Sequence, residues 1–298
     1  MTALSLPHWI LAGAGNIGTL AASHLIDAGH GVTVLHERLN RRDKTLTFAD
    51  GRPPRQLQLP CRPAASIAQP IRYLAVVCKT PYTASAIEHL PLAADATVLR
   101  LQNGMGSLDG LLPNRSTCIE AVTTSAVKGS DPVHDVVAEN QTWMGGPDTP
   151  PGWYAGLAAH WPGLAWSDAI RDRQWQKLVA NAAINPLTAI HDVANGRLLE
   201  VRDLRERMTA IVAEADALLQ RLDPLWPGDS LANVEAIARA TAGNTSSMRA
   251  DVQRGAATEI DAINGWLLDQ ARHLGLAMPA NARVVAELKR RADPQAVY

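Results

Sequence analysis

Short, mostly apolar runs alternate with helix-spaced segments through the first half of the chain. His8–Ala12 (HWILA), Gly31–Leu35 (GVTVL), Tyr73–Cys78 (YLAVVC), Thr97–Leu101 (TVLRL) and Cys118–Val122 (CIEAV) have the length and composition of strands, with turn-forming residues close by. Between them, Ile17–Ala28 and Tyr82–His89 place apolar residues at helical spacing. Strand–helix–strand repetition predicts a parallel, doubly wound sheet. The stretch Gly51–Pro63 (GRPPRQLQLPCRP) is rich in Pro and Arg, and its expected form is a loop or an irregular hairpin.

Past about Trp166 the pattern becomes long, Ala- and Leu-rich and helical. Helices are expected over Ala169–Ile190, Leu204–Leu219, Leu231–Thr241, Ser247–Leu274 and Ala280–Arg291. Their breaks fall at Pro224–Gly228, Gly243 and Gly275–Pro279,. The expected organisation is an α/β domain over residues 1–168 followed by an all-α domain over residues 169–298,.

Composition narrows the function classes. Of 298 residues, 47% are hydrophobic and 19% charged, which fits a folded globular protein,. Twenty-eight Lys and Arg against 29 Asp and Glu give a net charge of −1, which argues against a nucleic-acid partner,. The most apolar stretches are interrupted by Lys79, Asn181, Asn185 and Pro186, so no membrane span is expected. Met1–Ile10 has no cationic region or small-residue cleavage site, so no leader peptide is expected. Cys61, Cys78 and Cys118 lie at no metal-type spacing, which excludes a cysteine-based metal site and suits a reduced, cytoplasmic compartment.

The first chemical signal is Gly13-Ala14-Gly15-Asn16-Ile17-Gly18. A GxGxxG between a strand and a helix turns tightly, admits a pyrophosphate and presents it to a helix N-terminus. Glu37 lies 19 positions beyond Gly18 and Arg38 lies 20 beyond it, with Arg41 and Arg42 following. Acid there favours the ribose of NADH and arginine the 2′-phosphate of NADPH, so the spacing leaves both open. Lys79 and Asn103 follow the third and fourth expected strands, at the carboxyl ends that line the ligand crevice of such sheets.

In the helical half, Lys177, Asn181 and Asn185 recur at i, i+4 and i+8 in KLVANAAINPLTAI. At about 100° per residue they form one polar stripe on an apolar helix. Asn244-Thr245-Ser246-Ser247 opens the next helical run, as a helix cap, a carboxylate site, or both. Glu259 lies 12 residues past Ser247, about 120° round an ideal helix,. Periodicity therefore does not bring those two together.

GAGNIG, CKT, LQNGMG, KLVANAAINPLTAI, NxSSM and TEIDxINGxLLxxARxxGLxxP occur in an order and spacing that resemble the ketopantoate reductases, from His8 to about Lys289. The resemblance implies a Rossmann-type N-terminal domain, an all-α C-terminal domain and NADPH-dependent reduction of ketopantoate to pantoate in pantothenate biosynthesis. Carried over residue by residue, it implies that Lys177 is the general acid. Asn181, Asn185, Asn195 and Ser247 contact substrate, and Asn244 opens the serine motif. Asn103 touches both cofactor and substrate. Gly13, Gly15, Gly18, Lys79 and Val127 contact the cofactor, as do the loop residues Ala14, Asn16 and Ile17. Glu259 contacts it too and lies near the reacting centre. The sequence departs from the family where Glu37 stands at a position that NADP-using members tend to fill with arginine. Arg38 is then the residue expected to meet the 2′-phosphate, with NADH as the alternative cofactor. A small 2-oxo acid is the expected partner, and a homodimer is one open option. The competing readings are a reductase of another 2-oxo acid, a hydroxyacid dehydrogenase of the 6-phosphogluconate type and a non-catalytic dinucleotide sensor. NxSSM and TEIDxING speak against the second, and Lys177, Asn103 and Glu259 against the third.

Overall fold

The computed structural model describes residues 6–292. The first five residues of the stretch read for a leader, and the last six of the expected second domain, lie outside it. The chain divides into two compact units. One holds the residues up to Gln102 together with Leu108–Ile170, and the other holds Asn103–Ser107 together with the residues from Arg171 onward.

The first unit is built on β1 (His8–Ala12), β2 (Gly31–Leu35), β3 (Arg41–Phe48), β4 (Arg55–Arg62), β5 (Ile71–Val76), β6 (Leu92–Arg100), β7 (Thr117–Thr123), β8 (Ala126–Ser130), β9 (Val133–Ala138), β10 (Thr142–Gly145) and β11 (Leu164–Trp166). Helices α1 (Asn16–Asp27), α2 (Thr83–Ile87) and α3 (Tyr154–Ala158) connect them. The strands form one sheet in the order β11-β10-β7-β6-β5-β1-β2-β4-β3-β9-β8. Strand β1 runs parallel to both neighbours, with Leu11 opposite Val34 of β2 and Ile10 opposite Leu74 of β5. Trp9, Leu11, Val34, Leu74 and Val76 are fully buried, as expected of central parallel strands. The chain order reverses at β1, so the loop after it sits at a switch point, where doubly wound sheets bind ligands.

The expectation of a loop or irregular hairpin over Gly51–Pro63 is corrected. Residues 55–62 form β4, antiparallel to β3 with Lys44 opposite Leu57. RQLQLPCR alternates in period two: Leu57, Leu59 and Cys61 are buried while Gln56, Gln58, Pro60 and Arg62 are exposed,. That alternation outweighs the Pro and Arg content. The segment after β7 also yields strands that no apolar run announced. Strands β8 and β9 pair with each other and join the sheet at β3.

The second unit contains α4 (Ile170–His191), α5 (Arg197–Glu200), α6 (Arg202–Leu222), α7 (Ser230–Ala240), α8 (Ser247–Gln253), α9 (Trp266–His273) and α10 (Pro279–Ala292). Helix α6 buries Leu204, Met208, Ile211, Ala215, Leu218 and Leu219, an apolar stripe of helical period. The continuous helix expected over Ser247–Leu274 is the second correction. Gly255, at φ +63°, ends α8, since only glycine adopts that conformation without strain. The N–H of Ala256 then returns to the Asp251 carbonyl at 2.9 Å. The chain resumes at Ile260 and passes through a single π turn, Asp261–Gly265, into α9. Among the described residues no helix is long and apolar enough to cross a membrane.

Candidate functional site

In the sheet unit, the chemistry gathers at the end of β1. Gly13 has φ +108°, and a Cβ there would fall 2.6 Å from the Cys78 backbone nitrogen. Glycine is thus required both by conformation and by the close approach to the end of β5. Gly15 caps α1 without any side-chain cap, leaving the first N–H groups of that helix without a side-chain acceptor. A Cβ on Gly15 would meet nothing within 4 Å, whereas one on Gly18 would lie 2.9 Å from the Gly13 carbonyl oxygen. The loop therefore has an open face at a helix N-terminus and a packed face behind it, which fits a dinucleotide pyrophosphate.

The other expected cofactor contacts lie in the same unit. Ala14 is buried, and Asn16 and Ile17 open α1. Lys79 is partly buried and caps the short turn Thr80–Tyr82. Val127 lies on β8 opposite Val136 and packs against the sheet core. Glu37 and Arg38 are exposed just beyond β2. The N–H groups of Arg38 and Leu39 donate to His36 Nδ1 at 3.2 and 3.1 Å, which fixes this turn. Arg41 pairs with Asp43 at 3.1 Å, and Arg42 with Asp131. Among the described residues Arg38 has no carboxylate partner.

In the helical unit, the Asn103 amide donates to Glu259 Oε2 at 2.9 Å. The Met105 N–H donates to the Ala262 carbonyl of the π turn at 2.8 Å. Between them Gly104, at φ +70°, brings its backbone so close that a Cβ would sit 2.4 Å from that same carbonyl. LQNGMG is thereby seated on the turn that follows Glu259. Glu259 is buried. Lys177 on α4 is partly exposed as a residue, yet burial lowers its pKa from 10.5 to about 8, with the Glu259 carboxylate pulling the other way,.

Asn181 and Asn185 follow Lys177 on α4, and Asn181 Nδ2 is buried with no hydrogen-bond partner among the described residues. A donor left so in a polar stripe suits a ligand acceptor. Pro186 lies inside the same helix and has no N–H to give the carbonyl of Ala182, four residues back. Asn264 of the π turn supplies the missing donor, its Nδ2 lying 3.0 Å from the Ala182 oxygen. It also donates to Asn281 Oδ1 at 3.0 Å, and Asn281 is held by Glu214 at 2.9 Å. Asn264 thus locks the Glu259 turn onto the helix of Lys177.

The serine motif forms a neighbouring group. Ser246, not Ser247, is the N-cap of α8 and accepts from the Arg249 N–H at 3.1 Å. Its hydroxyl also lies 2.7 Å from that of Thr188 on α4. Ser247 is the first helical residue, and both it and Asn244 are exposed. The Asn195 N–H donates to the Asn244 carbonyl at 3.2 Å. Asn195 Nδ2 donates to Thr241 Oγ1 at 3.0 Å, while Asn195 Oδ1 is buried without a partner among the described residues. Sequence reading missed Asn264 and Thr188, and left the cap open among four residues, of which Ser246 takes the role. Pro186 carried a signal for Asn264, because a mid-helix proline demands an outside donor. Thr188 carried none.

The ketopantoate reductase PanE/ApbA profile matches residues 9–148, and the C-terminal profile of the same family matches residues 169–292. The chain belongs to the ketopantoate reductase family. It is an oxidoreductase with a Rossmann-type unit and a helical unit. A 2-dehydropantoate 2-reductase from Salmonella typhi is 35% identical over 205 residues, covering 67% of this chain and 67% of that protein. A PanE/ApbA family ketopantoate reductase from Ralstonia eutropha JMP134 matches in structure with TM-score 0.85 and 25% identity, covering 97% of this chain and 99% of that one. A D-mandelate dehydrogenase in a ternary structure with NADH and anilino(oxo)acetate shares the fold at TM-score 0.84 and 18% identity, covering 97% and 100%.

Proposed function

We propose that this protein reduces 2-dehydropantoate to pantoate with NADPH, as a step of pantothenate biosynthesis in a reducing, cytoplasmic compartment that suits a chain with three cysteines,. The observation that carries the reading is Lys177. Its ammonium is buried enough to have a pKa of about 8 while the charge of Glu259 keeps it from falling further. Such a group holds a proton at neutral pH and gives it up readily.

The bound dinucleotide supplies hydride to the ketone carbon. Negative charge then grows on the ketone oxygen, where the Lys177 ammonium stabilises it and delivers the proton that completes the alcohol. A positioned acid of this kind contributes about 10²–10⁴-fold. Asn181 and Asn185 offer amides to the substrate's polar groups from the same helix face. Ser247, with Asn244 and Asn195 beside it, receives the carboxylate at the start of α8. Asn103 is oriented by its hydrogen bond to Glu259, so its remaining amide hydrogen and carbonyl face a ligand in a fixed direction. On the cofactor side Gly13 to Gly18, Lys79 and Val127 form the receiving surface. Arg38 supports NADPH, because it is exposed and has no carboxylate partner among the described residues, unlike Arg41 and Arg42.

The test is oxidation of NADPH and NADH across a panel of 2-oxo acids, ketopantoate and an aromatic 2-oxo acid included. The aromatic member addresses a second reading, since the fold also serves a D-mandelate dehydrogenase. Ketopantoate should give the highest kcat/KM, and Lys177→Ala should lower it by about 10²-fold or more. Preference for another 2-oxo acid overturns the substrate, and turnover by Lys177→Ala within a few-fold of the parent overturns the role of the lysine.

A further inference from the structure

One buried charge in the sheet unit has no part in the reaction just described. Lys44, on β3, is 1% exposed and is among the largest fully buried side chains. A buried lysine costs several kcal/mol unless it is paired, and burial with the nearby Arg42 charge lowers its pKa to about 8. An apolar side chain of similar length would fill the same volume without that cost.

Its contacts all lie behind the glycine loop. The Lys44 ammonium donates to the Ala14 carbonyl at 2.7 Å and to Asp131, which also takes Arg42. His134 Nε2 lies 3.3 Å from the same ammonium, and His134 Nδ1 lies 2.7 Å from Asn16 Oδ1. Asn16 Oδ1 can only accept, so His134 Nδ1 donates to it, while Nε2 also lies 3.1 Å from the Asp131 Oδ1 that takes the ammonium. Burial, then Lys44 and Arg42, push the His134 pKa down to about 4, which keeps the ring neutral,. Two links therefore reach the loop, one at Ala14 and one at Asn16.

The geometry of the peptide bond converts the first link into a function. Across a trans peptide the carbonyl and the following N–H point in opposite directions. With the Ala14 oxygen drawn inward to Lys44 at 2.7 Å, beside the Thr19 hydroxyl at 3.1 Å, the Gly15 N–H points outward. Gly15 faces open space and its N–H has no acceptor among the described residues. We infer that Lys44 is a positioning residue for the dinucleotide, holding the Ala14–Gly15 peptide so that its N–H meets the pyrophosphate, with His134 holding the first turn of α1 through Asn16. Lys44 never touches the cofactor. It orients the amide before binding, which removes a cost that binding otherwise bears. The inference rests on the dinucleotide part of the proposed function and is independent of the substrate.

The test compares two ligands of the full chain by tryptophan fluorescence, without substrate. One is 2′-phospho-ADP-ribose, which carries the pyrophosphate; the other is adenosine 2′-monophosphate, which lacks it. Lys44→Met should weaken the first about tenfold, the loss expected for one charge-assisted hydrogen bond, and leave the second within about twofold. Equal weakening of both ligands, or no change in either, overturns the inference. If Lys44→Met does not fold, His134→Leu makes the same comparison and should shift the ratio in the same direction by a smaller factor; an unmoved ratio there overturns it equally. A parent that binds neither ligand overturns the dinucleotide reading itself, whereas parental binding with an unmoved ratio overturns only the role of Lys44.

Discussion

Replacing Glu259 with Gln separates the charge of the carboxylate from its shape. Glutamine keeps an oxygen that can accept from Asn103, so the contact at 2.9 Å survives in form. What disappears is the negative charge that opposes the burial of Lys177, whose pKa is about 8 instead of 10.5. In the parent, kcat/KM for ketopantoate reduction at saturating dinucleotide should fall about tenfold per pH unit above about 8, as the proton is lost,. An ordinary lysine would keep the rate flat to about pH 10. A nearby opposite charge is worth about one pH unit or more, so Glu259→Gln should move the alkaline limb to about pH 7. Relative to its own acid plateau, the variant should lose about tenfold at pH 8, against about twofold for the parent, and almost nothing at pH 6. The assay is the absorbance of the reduced nicotinamide in initial-rate runs from pH 6 to about pH 10. Expressing each rate relative to the plateau removes any pH-independent loss of cofactor contact. A limb that stays in place or moves to higher pH refutes the electrostatic argument. A parental profile flat beyond pH 10 refutes Lys177 as the titrating acid.

Other perturbations follow from the same contacts. Asn264→Ala leaves the Ala182 carbonyl and Asn281 without their donor and should cost about 2 kcal/mol or more in denaturant unfolding. In a Pro186→Ala background, which restores the helical N–H, the same substitution should cost about 1 kcal/mol less; strict additivity would show that Asn264 does not serve the proline break. Ser246→Ala removes the cap of α8 and should lower stability by about 1 kcal/mol. Ser247→Ala should leave stability alone and raise KM about tenfold; equal effects in the two variants would remove the carboxylate role. Arg38→Ala should erode the preference for NADPH, and Glu37→Ala should strengthen it, by about tenfold each in the ratio of the two dinucleotides' kcat/KM values. A parent faster with NADH would make Glu37 the deciding residue.

The central strands were legible in the sequence because burial on both faces demands mostly apolar runs, as in HWILA and GVTVL,. Strand β4 was less legible because its Pro60 and its two arginines masked an alternating burial pattern. The polar stripe on α4 could be read from spacing alone, since one helix carries all three residues. Glu259 could not be placed this way. Its position depends on Gly255 ending α8, on a π turn, and on an asparagine about 80 residues away from the carbonyl it serves. Periodicity describes a single element, whereas the contacts around Glu259 join several. The Lys44 cluster escaped for the same reason: a lysine in a strand is ordinarily solvated, and only the fold brings β3, the start of β9 and the glycine loop together.

The five residues Asn103–Ser107 belong with the helical unit although they precede it by more than 60 positions. This makes the two halves unequal as building blocks for chimeras. A graft cut at Arg171 would carry Lys177, Asn181 and Glu259 but would leave behind Asn103 and the Met105 N–H that seats on Ala262. The Glu259 carboxylate would arrive without its amide, and the π turn would keep an unsatisfied carbonyl. Any exchange of helical halves among related chains must therefore transplant LQNGMG with its matching TEIDAING, treating two distant stretches of sequence as one heritable part.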